Sequence, residues 1–117
     1  MKLIIKDEYT LQSLQDAFSA EFPYLKIEFF SKHHEPGMGT GLKFKLYSTK
    51  KIGECREVHR EGELEVTPEM TVAEFEQAME KIFGLGMQVF RKTASNNWIE
   101  TINTDGWTLR EHDVEPS

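Results

Sequence analysis

The sequence predicts an α+β fold of two βαββ units, with two helices packed on one face of a mainly antiparallel sheet. Two segments carry apolar residues at helical spacing, each behind a threonine that suits an N-cap. The segments around them alternate apolar and polar residues, as half-buried strands do. The order strand, helix, strand, strand occurs twice. That order favours one layer of sheet under one layer of helices.

The clearest element is the helix expected between Thr71 and Gly84. Thr71 is its N-cap, and Glu74 three residues later completes a capping box. Gly84 ends the helix because glycine adopts the left-handed backbone conformation without strain. Its large apolar residues share one stripe: Val72, Phe75, Met79, Ile82 and Phe83. This stripe predicts that the helix packs against the core.

The first half has the same elements in a weaker form. They are a strand at Leu3–Ile5, a helix that begins after Thr10 and ends before Pro23, and strands at Leu25–Phe29 and Leu42–Leu46. The loop from Ser31 to Gly41 holds three glycines and a proline. Alternation along the strand after it places Phe44 toward the core and Lys43 and Lys45 on the outer face.

The second half begins with a polar connection from Ser48 to Gly62, for which one short strand near Gly53–Val58 is the only element expected. The elements that follow are a strand at Glu63–Val66, the helix, a strand at Met87–Arg91 and a hairpin partner at Trp98–Ile102. Residues 110–117 form a polar tail that we expect to fray.

The two halves also match in sequence when the chain is shifted by 61 residues. Identical pairs are Leu3 and Leu64, Glu8 and Glu69, Thr10 and Thr71, Ala17 and Ala78, and Phe22 and Phe83. A duplication relating residues 1–47 to 62–103 explains this match. Apolar periodicity alone also generates identities between any two strand-helix-strand segments, so both explanations stay open. The length of 117 residues is that of one domain spanning 1–117.

Two resemblances rest on residues of the C-terminal half. Through Gln88–Lys92, Trp98–Thr101 and Asp105–Leu109, the chain as a whole resembles small bacterial proteins of unassigned function, so this resemblance implies no activity. Residues 63–109 resemble ubiquitin-like β-grasp domains, including interaction modules of the Phox-and-Bem type. This second resemblance implies an alternative fold, a β-grasp-like C-terminal half with an N-terminal extension.

Charge and composition argue against several classes of partner. The net charge is −6 and the isoelectric point is near 5.2, whereas nucleic acids and anionic membranes attract positive proteins. No apolar run has the length of a membrane-spanning helix, and charge returns after three apolar residues at the N-terminus. Cys55 is the only cysteine, which excludes an intrachain disulfide. We therefore expect a cytoplasmic protein without membrane contact.

Metal and catalytic signals are weak. His33 and His34 are the candidate metal ligands, and Glu35, Cys55 and His59 offer further suitable donors. Their spacing fits no standard zinc site, so we expect solvated side chains, no metal and no cofactor. The glycine-rich loop leads into a strand, and therefore lacks the helix N-terminus that phosphate loops use. No catalytic motif is present, so we expect no enzymatic activity.

Positive charge concentrates between Lys43 and Arg60. The cations are Lys43, Lys45, Lys50, Lys51, Arg56 and Arg60, offset by Glu54 and Glu57. This region could attract an acidic partner, or its lysines could protect the edge of a sheet from pairing with another sheet. Nucleic-acid binding through this region is a weaker alternative.

The function predicted from these features is a non-enzymatic domain that binds another protein or self-associates. The binding surface would be an exposed tryptophan or an open strand edge at Lys43–Tyr47 or Met87–Lys92. Its candidate residues are Lys43, Lys45, Arg91, Trp98 and Trp107. For the two tryptophans we expect core roles, and exposure of at least one as a contact is the alternative. A second hypothesis is a small-ligand or enzyme pocket between helices and sheet, with His33, His34 and Arg91 as its polar groups.

Overall fold

The computed structural model describes residues 1–31 and 44–117, and these ranges contain three α-helices and six strands. The strands are β1 (Lys2–Ile5), β2 (Leu25–Ser31), β3 (Phe44–Lys45), β4 (Gly62–Glu65), β5 (Gly86–Lys92) and β6 (Trp98–Glu100). The helices are α1 (Leu11–Glu21), α2 (Val72–Phe83) and α3 (Leu109–His112), with short 3-10 helices at Ile52–Cys55 and Ile102–Thr104. The predicted α+β class is confirmed.

The strands form two antiparallel sheets where the sequence predicted one. Four strands pair in the order β3-β2-β5-β6, and β1 pairs with β4 in a separate two-stranded sheet. The centre of the larger sheet is the long pairing of β2 with β5, in which Ile27 lies opposite Val89 and Phe29 opposite Met87. These four side chains are buried on one face, which is the face that the helices cover.

Both long helices pack on that buried face. The rings of Phe18 in α1 and Phe75 in α2 stack with centroids 5.2 Å apart, and both side chains are fully buried. A single hydrophobic cluster joins the two helices to both sheets, including Leu3 of β1 and Val89 of β5. Each large apolar side chain buried in this way contributes roughly 1.5–3 kcal/mol. The core is therefore shared by the whole described fold.

The predicted helix ends are confirmed. The hydroxyl of Thr71 accepts from the N–H of Glu74 at 3.1 Å, and the Glu74 carboxylate accepts from the N–H of Thr71 at 3.3 Å. Gly84 has a φ of 69° and donates its N–H to Glu80 O at 3.0 Å. Thr10 caps α1 by accepting from the N–H of Ser13 at 3.3 Å. Capping hydrogen bonds between residues close in sequence thus determine where both helices begin.

Several local predictions are wrong. Phe44 is 47% exposed because β3 lies at the edge of the sheet, beyond the core that the helices cover. The segment near Gly53 forms the 3-10 helix Ile52–Cys55. The segment expected to fray begins with α3, which is held by a capping box of Thr108 and Glu111 and buries Leu109 against the core. Leu42 and Lys43, predicted as strand, lie outside the described residues.

The two halves of the chain make matching contacts. We define the N-terminal half as residues 2–56 and the C-terminal half as residues 62–113. In each half, the segment before the short helix lies beside the start of the long helix. Leu11 N–H donates to Lys50 O, and Val72 N–H donates to Trp107 O, both at 3.0 Å.

The short helices are attached in the same way. Ile52 N–H donates to Tyr9 O at 2.7 Å, and Leu109 N–H donates to Met70 O at 2.9 Å. Ile52 and Leu109 are both fully buried. Within the described residues, each half therefore has a strand, a long helix, two strands and a short helix that returns to the start of the long one, and the C-terminal half adds the 3-10 helix Ile102–Thr104. The duplication that would explain this plan stays a prediction.

Candidate functional site

The first candidate surface is the edge of the larger sheet at β6. A turn at Thr93–Asn97 joins it to β5, and Asn96 takes a positive φ of 66° there. Lys92 N–H donates to Tyr24 O, so it points toward β2. Because backbone groups alternate in direction along a strand, those of neighbouring Arg91 point toward Ile99 in β6. The N–H and C=O groups of Trp98 and Glu100 consequently point away from β5. No strand in residues 1–31 or 44–117 pairs with them.

The side chains of β6 are also open to solvent. Trp98 is 36% exposed and Ile99 is 38% exposed. The ring of Trp98 lies on the outer face of the sheet, where Lys26 Nζ is 5.1 Å and Lys92 Nζ 5.9 Å from its centroid. Such contacts are cation–π interactions. They hold the indole flat against the sheet beside an unpaired strand edge.

Lys45 lies at the other end of the same outer face. Its Nζ is 3.4 Å from a Glu28 carboxylate oxygen, and Lys26 Nζ is 3.3 Å from the other oxygen. Gln15 donates to Glu28 as well, at 3.3 Å. Lys45 is thus on the outer face, as predicted, with its charge directed to Glu28. Lys43 lies outside the described residues.

Arg91 and Trp107 lie elsewhere, at a cavity of about 370 Å³ at the end of β5. We call it the C-terminal cavity; Arg91, Lys92, Trp107, His112 and residues after α3 line it. Trp107 is 51% exposed. The structure therefore divides the predicted binding residues between two places, since Lys45 and Trp98 lie on the outer sheet face and Arg91 and Trp107 do not.

His112 is a cavity residue that the sequence reasoning missed. It is only 3% exposed, and its ring stacks on Trp107 with centroids 5.2 Å apart. Its Nε2 donates to Thr104 O at 2.9 Å, whereas its buried Nδ1 has no hydrogen-bond partner. The Thr-x-x-Glu pattern at Thr108 could have revealed the helix that carries it.

A second cavity of about 480 Å³ lies at the matching end of β2. We call it the N-terminal cavity; its lining includes Ser31, Cys55, Glu57, Val58 and Gly84. Burial raises the pKa of the Cys55 thiol, and Cys55 Sγ lies 3.3 Å from Lys51 O. A thiol with a raised pKa holds little thiolate at neutral pH, so this cavity lacks an activated nucleophile.

Arg56, counted above among the surface cations, has a fully buried side chain. It donates to Asp7 through Nε at 3.0 Å and through Nη2 at 2.7 Å, and to Phe83 O at 3.0 Å. These hydrogen bonds lower the pKa of Asp7 against the opposing effect of burial, and His59, 2.9 Å away, lowers it further. Arg56 is therefore part of the fold, and the exposed basic region is smaller than the sequence suggests.

Two other predictions concern positions around this region. His33 and His34 lie outside the described residues. Within 1–31 and 44–117, no three metal-ligating side chains come together.

The predicted open edge at Met87–Lys92 is wrong, because β5 pairs with β2 on one side and with β6 on the other. The strand order that buries β5 depends on contacts between the halves.

Comparisons with known proteins do not identify the chain. A scan against protein-family models and searches of curated proteins and of solved structures give no match. Across the described ranges, no helix combines the length and apolar character needed to span a bilayer.

Proposed function

We propose that this protein is a non-enzymatic interaction domain that adds an extended segment of a partner, or a second copy of itself, to the edge at β6. One observation carries the proposal: the backbone groups of Trp98 and Glu100 point outward from a sheet edge that no described strand covers. Such an edge is a template for strand addition.

The side chains around β6 support this function. Natural edge strands are often protected by lysine, proline or a bulge. β6 has the sequence Trp-Ile-Glu, with one charge among its three residues. A partner strand would cover Ile99 and approach Trp98, and tryptophan at the centre of an interface supplies much of the binding energy.

The experiment removes one outward donor. Because Glu100 N–H points away from β5, Glu100→Pro deletes a donor on the open edge and leaves the β5 bonds intact. Glu100→Ala is the matched control, since it removes the same carboxylate and keeps the donor. We expect light scattering from micromolar to millimolar concentration to show association for the wild type and Glu100→Ala, and a monomer for Glu100→Pro.

Strand addition at this edge is tested directly with an extended peptide of the sequence Asn97–Ile102. We expect its addition to shift the amide resonances of Trp98 and Glu100 in a two-dimensional NMR spectrum. Circular dichroism checks that each variant is folded. A wild-type protein that stays monomeric and shows no shift with the peptide would refute the proposal.

The family and the origin of the chain are also proposals. The resemblance to small bacterial proteins of unassigned function rests on Gln88–Lys92, Trp98–Thr101 and Asp105–Leu109. A duplicated unit is supported by the matching attachments of Ile52 and Leu109. Related sequences in which the identities at an offset of 61 residues are stronger would support duplication, and relatives without them would contradict it. The cytoplasmic location stays a prediction.

A further inference from the structure

The two cavities occupy matching positions, so each serves as a reference for the other. The N-terminal cavity lies between the end of β2 and the short helix that ends at Cys55. The C-terminal cavity lies between the end of β5 and the short helix that ends at His112. Cys55 and His112 are therefore counterparts, and so are the residues that follow them, Arg56 and Asp113.

Most polar groups at these counterparts have partners. Arg56 bonds to Asp7 and to Phe83 O at the end of α2, and Asp113 Oδ1 accepts from Tyr24 N–H at 2.9 Å just after α1. Each short helix is thereby tied to the long helix of the other half. The exception is His112, whose Nδ1 is the only buried side-chain nitrogen or oxygen of the described residues without a hydrogen-bond partner.

The bond to Thr104 determines the chemistry of that free nitrogen. A carbonyl oxygen carries no hydrogen, so Nε2 must be the protonated nitrogen. In the neutral ring Nδ1 then holds a lone pair and needs a donor. Buried polar groups in folded proteins are almost always satisfied, and an exception requires an explanation.

The rim of the cavity indicates the rest of the ligand. Arg91 supplies positive charge from β5, whereas Lys92 lines the cavity but carries its Nζ over the Trp98 ring on the outer face. The acidic lining residues are Glu111 and Glu115, and the Glu111 carboxylate accepts from Thr108 N–H at 2.9 Å as part of the helix cap. The indole of Trp107 offers a planar wall next to the His112 ring. We propose that the C-terminal cavity binds a small planar organic acid that carries a hydroxyl or N–H donor.

In this arrangement the donor of the acid bonds to His112 Nδ1, the ring stacks on Trp107 and the carboxylate faces Arg91. The volume of about 370 Å³ is within the usual range for small-molecule sites. Trp107 turns outward to admit the ligand, and its side chain is already 51% exposed.

The experiment uses the hydroxybenzoate isomers as probes and benzoate as the matched compound without a donor. Trp98→Phe leaves Trp107 as the single tryptophan, so fluorescence then reports on the cavity alone. We expect at least one hydroxybenzoate to change this fluorescence on binding, and benzoate to bind about tenfold more weakly or worse. The side-chain ¹⁵N resonance of His112 Nδ1 should shift with the same midpoint.

Two variants assign the contacts. His112→Phe should remove the preference for hydroxybenzoate over benzoate. Arg91→Ala, an exposed change that leaves the core intact, should weaken both compounds about tenfold because the carboxylate loses its partner. Cys55→Ser, at the counterpart position, should leave binding unchanged. The proposal is overturned if none of the isomers binds, if benzoate binds equally well, or if Arg91→Ala has no effect.

Discussion

The N-terminal and C-terminal halves attach their short helices to the rest of the fold through opposite chemistry. We call the attachment at Arg56 the N-terminal joint and the attachment at Asp113 the C-terminal joint. After its short helix, the N-terminal half inserts the buried guanidinium of Arg56, which bonds to Asp7 and to the last turn of α2. The C-terminal half places Asp113 there, which accepts one backbone N–H from Tyr24. One joint is an ion pair between the buried Arg56 and the partly exposed Asp7 with several hydrogen bonds, whereas the other is a single hydrogen bond beside a histidine whose Nδ1 has no partner.

This difference separates two tasks that one scaffold can perform. The polar groups of Arg56 and Cys55 are engaged with neighbours of the same chain, so the N-terminal joint stabilises the fold. The C-terminal joint leaves His112 Nδ1 without a partner and half of Trp107 exposed. The proposed binding and the stability of the fold thus depend on different halves, and variants can test each half separately.

The largest difference is expected from removing each joint residue. Arg56→Leu should lower the free energy of unfolding by about 2–3 kcal/mol, because charge-assisted hydrogen bonds to Asp7 and Phe83 O are lost; the partly exposed Asp7 limits the loss. Asp113→Ala should cost only about 1 kcal/mol, the value of one hydrogen bond. Urea denaturation followed by circular dichroism measures both. Equal losses would contradict the contrast between the halves.

A smaller effect is expected at the first turn of each short helix. Gly53 donates its N–H to Asp7 O, as Arg110 does to Pro68 O, so the two are counterparts. A Cβ at Gly53 would lie 2.8 Å from Asp7 Cβ. Gly53→Ala should therefore cost about 1–3 kcal/mol through overpacking.

Arg110→Ala is the matched variant. It removes only an exposed ion pair with Glu69, which is worth about 0–1 kcal/mol. Thermal denaturation at fixed pH compares it with Gly53→Ala. If Arg110→Ala lowered the denaturation temperature more than Gly53→Ala did, the prediction that a Cβ at Gly53 overpacks against Asp7 would be contradicted.

The smallest effect is a pair of opposite pH dependences. The Arg56 hydrogen bonds lower the pKa of Asp7 below its ordinary value of 3.8, so its contribution to stability is full above that value and is lost as pH falls through the lowered pKa. Burial raises the pKa of Asp113 above 3.8, against the opposing effect of the Tyr24 N–H. Its contribution therefore decreases as pH rises through the window above 3.8.

Carboxyl ¹³C titration by NMR measures both pKa values directly. Asp7→Asn should remove the loss of stability at the acidic end, and Asp113→Asn should remove the loss at the upper end of the window. Shifts of the same sign for Asp7 and Asp113 would contradict the proposed difference between the joints.

The sequence predicted the features that depend on neighbouring residues. The helix from Val72 to Phe83 was predictable because its cap, its apolar stripe and its terminal glycine are all local. The strand Leu25–Ser31 was equally clear from alternation. The Thr-x-x-Glu pattern from Thr108 to Glu111 also indicates α3, but the polar composition of the tail obscured this signal.

The features that depend on distant contacts were not predictable in this way. Arg56 resembled any other surface cation, because Asp7 and Phe83 are far from it in sequence. An open edge was expected at Lys43–Tyr47 or at Met87–Lys92; β3 is an edge strand, but β5 is internal and β6 is the other edge, because strand order follows from tertiary packing. The core roles expected for both tryptophans are wrong, since Trp98 is 36% and Trp107 51% exposed, and only the structure shows that they lie on different surfaces.

The pairing of strands across the two halves has a consequence for synthesis on the ribosome. β1 has its partner in β4, with Lys2 opposite Glu65, and β2 pairs with β5, which ends at Lys92. The apolar faces of β1, α1 and β2 therefore emerge before the strands that complete their sheets have been made. Contacts so distant in sequence slow folding and prolong the exposure of unpaired edges. The N-terminal half therefore cannot complete both of its sheets before β5 has been synthesised.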